Sequence, residues 1–237
     1  LNEPARQLNR ADPEPHRSQW RFRADDLREI PYRSIEIPYG PRSSENKIRT
    51  DSHHATVIDA TRRWISSVVI GLDLCPFARH VFQGNLIRYV VSDASDAEEL
   101  RADLANELET LAHASPDVIE TTLVIHPGVL GRFSDSCDFL TIAESLLRSR
   151  CHRGVIQIVS FHPQYQFADA TENAVENYTN RSPYPMLHLL REQSVSAAVN
   201  ANALTNRDIP ARNIALLRSL GLAKILELTT GGKPHAV

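Results

Sequence analysis

Two histidines in this chain stand in the same setting: the apolar run TTLVI ends at His126-Pro127, and the run VIQIVSF ends at His162-Pro163. Imidazole exchanges a proton near neutral pH and is a common metal ligand, so a pair of imidazoles at strand ends is a candidate acid/base or metal-ligating set. The proline after each disfavours helical backbone at the histidine and predicts an extended exit from the strand. His-Pro as a mere strand stop is the plainer alternative. Behind His162 comes a dense polar segment that contains Tyr165, Asp169, Glu172, Glu176, Asn177, Asn180, Arg181, His188, Arg191 and Glu192. A long connection of this composition is usually functional. Ser182 is a good N-cap and Pro183 a good first helical residue, so the sequence predicts a helix from there. On it His188, Arg191 and Glu192 would share one face at i, i+3 and i+4. An imidazole beside a guanidinium and a carboxylate could combine acid/base chemistry with an anion clamp. A solvated Arg191-Glu192 pair is the alternative. Because Pro183 and Pro185 remove two amide donors from the helix start, Arg181 would have to supply charge for an anion.

The third loaded stretch is GLDLCPFARH. Cys75 precedes Pro76 at the start of a short helix, where helix polarity and Arg79 could lower a thiol pKa and make it nucleophilic. A buried structural cysteine is the alternative. The turn resembles that of glutaredoxins, but Ala78 stands where a resolving cysteine would be. Should a metal be bound, His162 and His188 with Asp169 or Glu192 would suit iron or zinc with open positions. The spacing is not diagnostic, and the residues name no metal or cofactor.

These side chains need a frame. Val57, Ile58, Thr61, Trp64, Ile65, Val68 and Val69 recur at helical spacing, with Gly71 expected as the left-handed residue that ends the helix. Leu86 to Val91 reads as a strand. Ser95 and Glu98 suggest a capping box ahead of Leu100, Leu104, Leu108 and Leu111 on one helical face. Strands at Ile119 to Ile125 and Val155 to Phe161 flank a helix through Phe139, Ile142, Ala143, Leu146 and Leu147, closed by Gly154. The helix from Ser182 and another through Ile214, Leu217 and Leu220 follow. The fold class is therefore α/β, a small parallel or mixed sheet of at least three strands with flanking helices, in the order α-β-α-β-α-β-α-α. Ligands of such sheets bind beyond the carboxyl ends of the strands, where His126 and His162 would both lie.

With 237 residues and 42% hydrophobic content, the chain can build one ample core with extensions. Residues 1–52 read as a variable, poorly ordered extension with a possible strand from Ser34 to Ile37, 53–222 as a single α/β domain, and 223–237 as a tail. Trp20, Arg21, Phe22 and Arg23 could bind an acidic or nucleic-acid surface by charge and stacking, though such clusters commonly pack on their own domain or stay solvated. A formal charge of −3 gives no global field for nucleic acid, and no apolar run suits a membrane helix, so neither is an expected partner. Cys75, Cys137 and Cys151 form no C-x-x-C pair. They suggest reduced thiols in a soluble protein of the cytoplasm or another reducing intracellular compartment. The first residues carry no signal-peptide core, and whether the extension is a targeting remnant is left open.

The segments WISSVVIGLDLCPFAR, ETTLVIHP, DFL, QIVSFHPQYQFAD and NYTNRSPYPMLHLLRE together resemble the uncharacterised family termed domain of unknown function 1415. The resemblance runs roughly from His54 to Gly221. Three places depart from the family pattern: Asp73 where Asn is usual, Cys137 where Asn is expected, and Glu172-Asn173-Ala174 where an acidic pair is common. The resemblance implies a shared fold and site and no known activity.

The residues thus lead to an expectation of a small soluble enzyme acting on a small anionic substrate, with the pocket at the carboxyl edge of the sheet. His162, His188 and Cys75 are the catalytic candidates, and Arg181, Arg191, Tyr165, Asn180 and His126 the substrate-binding ones. The rival expectation is a non-catalytic module for a small ligand or a protein, with the segment 162–192 as a structural or binding platform. Whether the chain is an enzyme, what it would act on and its oligomeric state are open at this point. Convergence discriminates the two: catalysis needs His162, His188 and Arg181 around one concavity, whereas a structural connection would bury them separately against backbone groups.

Overall fold

Three strands form where the β-branched runs lie. In the computed structural model, which describes residues 44–201 and 209–230, β1 spans Ile87–Val91, β2 Thr121–Ile125 and β3 Ile156–Phe161. All five residues of β2 are buried, as expected of an unbroken apolar run covered on both faces. The patch from Trp20 to Arg23 and the short strand expected from Ser34 to Ile37 lie outside the described residues.

Helices alternate with these strands. The first, α1, covers Ser44–Trp64 and passes directly into a π-helical segment, Ile65–Ile70. The Thr61 hydroxyl donates to the Val57 carbonyl at 2.9 Å, and both Ser66 and Ser67 hydroxyls donate to the Arg63 carbonyl at 3.0 and 2.7 Å. Such back-bonds compete with the regular ladder and coincide here with its widening. Gly71 ends the helix for a reason other than the expected left-handed turn. Its φ is −62°, but a Cβ would meet the Ser67 carbonyl oxygen at 2.2 Å, so close approach demands the glycine. The left-handed residue is Asp73, at φ 52°.

Next come the short α2, Ala78–Gln83, and α3, Ala97–His113. Asp96 caps α3, its carboxylate accepting from the Glu98 and Glu99 N–H groups at 2.9 Å each. The cap expected at Ser95 thus sits one residue later. Glu99 reaches back to the Ser95 N–H and hydroxyl at 2.8 and 2.9 Å, closing the box from its acidic side. Helix α4, Phe133–Ser149, follows β2, and the turn before β3 uses the positive φ of Gly154, 82°.

The expected helix opened by Ser182 is overturned: Met186–Arg191 is a fourth strand, β4. Ser182 closes a local turn instead, its hydroxyl donating to the Tyr184 carbonyl at 2.6 Å. The strand order is β1-β2-β4-β3, with β1 and β2 parallel and β4 antiparallel to both β2 and β3. The result is a mixed sheet with flanking helices, in which β2 and β3 are not the neighbours the sequence suggested. Both still run the same way, so His126 and His162 do share an edge. Helix α5, Glu192–Ala201, and α6, Ile209–Thr230, complete the described chain; Gly221, at φ 75°, breaks α6 internally.

Two apolar layers cover the sheet. On one face Val124, Ile156, Leu187 and Leu189 pack with Leu100, Leu104 and Leu108 of α3 and Phe139, Ala143 and Leu147 of α4. On the other, Leu123, Ile125 and Met186 pack with Val57, Trp64, Ile65, Val68 and Leu74. No helix among the described residues is long and apolar enough to cross a membrane.

Candidate functional site

Both His-Pro pairs make the same turn. The Val129 N–H bonds to the His126 carbonyl at 3.4 Å and the Tyr165 N–H to the His162 carbonyl at 3.0 Å, which puts each proline at the second position of a β-turn, where its fixed φ fits. The chain therefore turns at the edge rather than leaving it extended. His126 is buried and its Nδ1–H donates to the Val129 carbonyl at 3.1 Å. His162 is buried with both nitrogens committed: Nε2–H donates to the Leu130 carbonyl at 3.1 Å, and Nδ1 accepts from the Gln164 N–H at 3.0 Å. Burial pushes His126 down to about 4 and lowers His162, and charge on His162 would further oppose charge on His126. These are neutral imidazoles that tie loops together.

The segment after His162 is organised in the same manner. Buried Asn177 accepts from the Phe167 N–H at 3.1 Å and donates to the carbonyls of Thr171 and Glu172 at 2.8 and 3.1 Å. Arg181 donates to the carbonyls of Tyr165 and Glu172 at 3.0 and 2.7 Å and lies over the Tyr178 ring at 4.7 Å. Burial pushes the Tyr165 phenol up, outweighing the lowering by the Asn180 side chain, and its ring packs on Phe133 and Phe167. Asn180 also offers its carbonyl to the His162 N–H at 3.3 Å.

The shared helical face of His188, Arg191 and Glu192 does not exist, because side chains three apart on a strand point to opposite faces. Arg191 turns to the α3 side and donates to the carbonyls of Leu111, Ala114 and Ile119 at 2.8, 2.7 and 3.0 Å. It satisfies the end of that helix, where a cation is also favoured by the dipole. Glu192 and Asp169 are exposed. No group of three or more ligating side chains converges on a metal position among the described residues.

His188 faces the other layer, and there the sheet and the helices leave a cavity of about 290 Å³. Its walls are Trp64, Ile65 and Val69 from the α1 and π-helical segments, Cys75, Phe77 and Val81 from the loop and α2, and Ile87, Leu123, Val159, Phe161 and Leu190 from the sheet. Cross-strand register explains the grouping: His188 pairs with Leu123 on one side and Val159 on the other, and Thr121 with Leu190, so all five lie on one face.

Polar atoms here are few and defined. The Thr121 hydroxyl lies 2.6 Å from the Leu189 carbonyl and 2.7 Å from His188 Nε2. A carbonyl can only accept, so the hydroxyl spends its one proton there and must itself accept from His188 Nε2–H. The tautomer leaves Nδ1 as a bare lone pair, without a partner among the described residues. Burial pushes His188 down to about 4. Cys75 also lines the cavity, and burial raises its thiol, outweighing the Phe77 and Ala78 N–H groups that would stabilise a thiolate. The expected lowering of that pKa is therefore reversed.

His162 and Arg181 are thus apart from His188 in their contacts, and what gathers around His188 is Cys75 together with Thr121 and Trp64, which the sequence reading passed over. Thr121 had a signal: read with period two, β2 puts this hydroxyl on the same face as Leu123 and Ile125, a polar group on a core face. Trp64 had only its place in an apolar stripe.

No curated protein and no solved structure matches this chain. A family model described as a protein of unknown function, DUF1415, matches residues 56–227. Both His-Pro turns and every residue around the cavity fall within that span, and the chain belongs to the DUF1415 family.

Proposed function

We propose that the chain is a binding module for a small, uncharged, largely apolar molecule held in the cavity beside His188. The observation that carries this reading is a cavity of about 290 Å³ whose wall is apolar except for Thr121, His188 and Cys75. An apolar cavity of about 150 Å³ already takes up benzene, so this one has room for a bicyclic molecule. Neutral walls support a neutral ligand: neither arginine expected to hold an anion lines the cavity, Arg181 and Arg191 being spent on backbone carbonyls. Cys75 and His188 share the space, but with the thiol raised and the imidazole lowered, a reactive thiolate–imidazolium pair is disfavoured. Neutral forms suit binding better than nucleophilic chemistry.

Thermal unfolding with naphthalene near its solubility limit tests the reading, since a ligand of the folded state raises the transition temperature. A rise is expected in the wild type and not in Ala78→Leu, since Ala78 of α2 also lines the cavity and the larger side chain fills it. No rise in the wild type, or an equal rise in both proteins, overturns the proposal.

A further inference from the structure

One hydrogen-bond acceptor opens on this cavity. With Nε2–H committed to the Thr121 hydroxyl, His188 Nδ1 is a lone pair without a partner among the described residues. The unpaired side-chain polar atoms that are sealed from accessible space there belong to Trp64, Tyr89, Glu120, Thr122 and Arg191, and His188 contributes none. Nδ1 therefore keeps accessible surface, and it keeps it in the cavity, because the ring forms part of that wall between Leu123 of β2 and Val159 of β3. Burial pushes the imidazole down to about 4, so the lone pair persists at neutral pH. An acceptor in an apolar wall forfeits a hydrogen bond unless a bound molecule supplies the donor.

Donors from the lining side chains are scarcer still. The Trp64 indole N–H is sealed away from the cavity, the Thr121 hydroxyl proton is spent on the Leu189 carbonyl, and His188 Nε2–H is spent on Thr121. That leaves Cys75, whose S–H is a weak donor. A strong acceptor on a ligand would thus lose its water and gain little in return.

We propose that the cavity selects an uncharged, flat molecule that carries a hydrogen-bond donor for His188 Nδ1 and no strong acceptor: a bicyclic N–H heteroaromatic of the indole type. A phenol or a lactam brings the donor together with an oxygen that finds no partner, and ranks below it. The aromatic walls, Trp64, Phe77 and Phe161, favour planarity. This selectivity rests on the cavity being a ligand site at all, and the experiment separates the two.

Two pairs of probes, matched in shape within each pair, provide the test: indole against benzofuran, which exchanges the N–H for an oxygen, and quinoline against naphthalene, which adds an acceptor. Calorimetric titration of the full chain at neutral pH is expected to give about fivefold tighter binding of indole than of benzofuran, the gain of one hydrogen bond inside an apolar site. Quinoline should bind no tighter than naphthalene. His188→Phe should remove the preference for indole while benzofuran still binds. Thr121 acts as a positioning residue: Thr121→Val frees the tautomer, so the indole preference should shrink and quinoline should gain on naphthalene, whereas Thr121→Ser, which keeps the hydroxyl, should behave as the wild type. Should His188→Phe fail to fold, this pair of Thr121 variants decides. Equal binding of indole and benzofuran, a preference for quinoline in the wild type, or an indole preference that survives both His188→Phe and Thr121→Val overturns the selectivity while leaving the cavity a binding site. Binding of none of the four probes overturns both.

Discussion

At the scale of single residues, the histidines carry a pH signature whose sign follows from burial. His126 and His188 are both pushed down to about 4, whereas in the unfolded chain an imidazole titrates near 6.5. As the pH falls from about 6.5 to about 4, the unfolded state binds protons that the folded state refuses. Stability is therefore complete above about pH 6.5, declines through that window and levels off once the folded imidazoles protonate. A shift of this size corresponds to roughly 3 kcal/mol per histidine. Urea midpoints measured from pH 7.5 to 4 should drop along this course, and His188→Leu should make the drop shallower, leaving the part due to His126; an unchanged midpoint across the window would sink the assignment. Cys75 yields a second expectation. Burial raises its thiol, while Cys151 is exposed, so mild alkylation of native protein at neutral pH should label Cys151 first. Filling the cavity with naphthalene should slow Cys75 further and leave Cys151 alone. Faster labelling of Cys75 would mean an activated thiol and revive the nucleophilic reading.

At the scale of elements, the polar segment after His162 behaves as architecture. Asn177 bridges Phe167, Thr171 and Glu172, and Arg181 bridges Tyr165 and Glu172, which gives a long connection the backbone partners it would otherwise lack. Asn177→Ala strands three backbone groups and should cost about 1 to 3 kcal/mol. Arg191→Met uncovers the end of α3 and should cost a similar amount, about 2 kcal/mol, with Lys restoring part of it through charge alone. Naphthalene affinity should stay within about twofold in both, since neither residue lines the cavity. Loss of binding at wild-type stability would instead make this segment a functional site. The same residues explain what the sequence could and could not tell. β1, β2 and β3 were legible because β-branched runs of strand length end at turn residues, and α3 and α4 because their leucines keep a single helical face. β4 was hidden: Ser182-Pro183 imitates a helix start, and LHLL, with Leu187 and Leu189 buried on one face and His188 and Leu190 half-buried on the other, shows no clean apolar-polar alternation. The edge shared by His126 and His162 was therefore predicted correctly, while the side chains thought to converge there were assigned through a helix that does not form. Nothing local in the sequence tells that His188 faces Thr121, since that contact depends on β4 entering between β2 and β3.

At the largest scale, the described domain is built around that inserted strand, and its stability should be graded accordingly. Among the described residues, β2 and β4 hydrogen-bond neighbours on both sides, whereas β1 and β3 each pair on one side. Releasing a central strand breaks two ladders and exposes both apolar layers, so it approaches global unfolding; fraying an edge strand breaks one. The layers also differ. α3 and α4, seventeen residues each, close a core of fully buried leucines around Phe139, while the opposite layer includes the six-residue α2 and is indented by the cavity of about 290 Å³. Void space forfeits packing contacts, so that layer is the weaker one. Native-state amide exchange should then be slowest at Leu123 to Ile125 and Leu187 to Leu189, intermediate in α3 and α4, and faster in α2 and the π-helical segment. Naphthalene in the cavity should slow α2 and the π-helical segment most, because it supplies the missing contacts where they are missing. Slowest exchange in β1 or β3 would contradict the central placement of β4, and a ligand effect confined to α3 and α4 would put the bound molecule on the wrong side of the sheet.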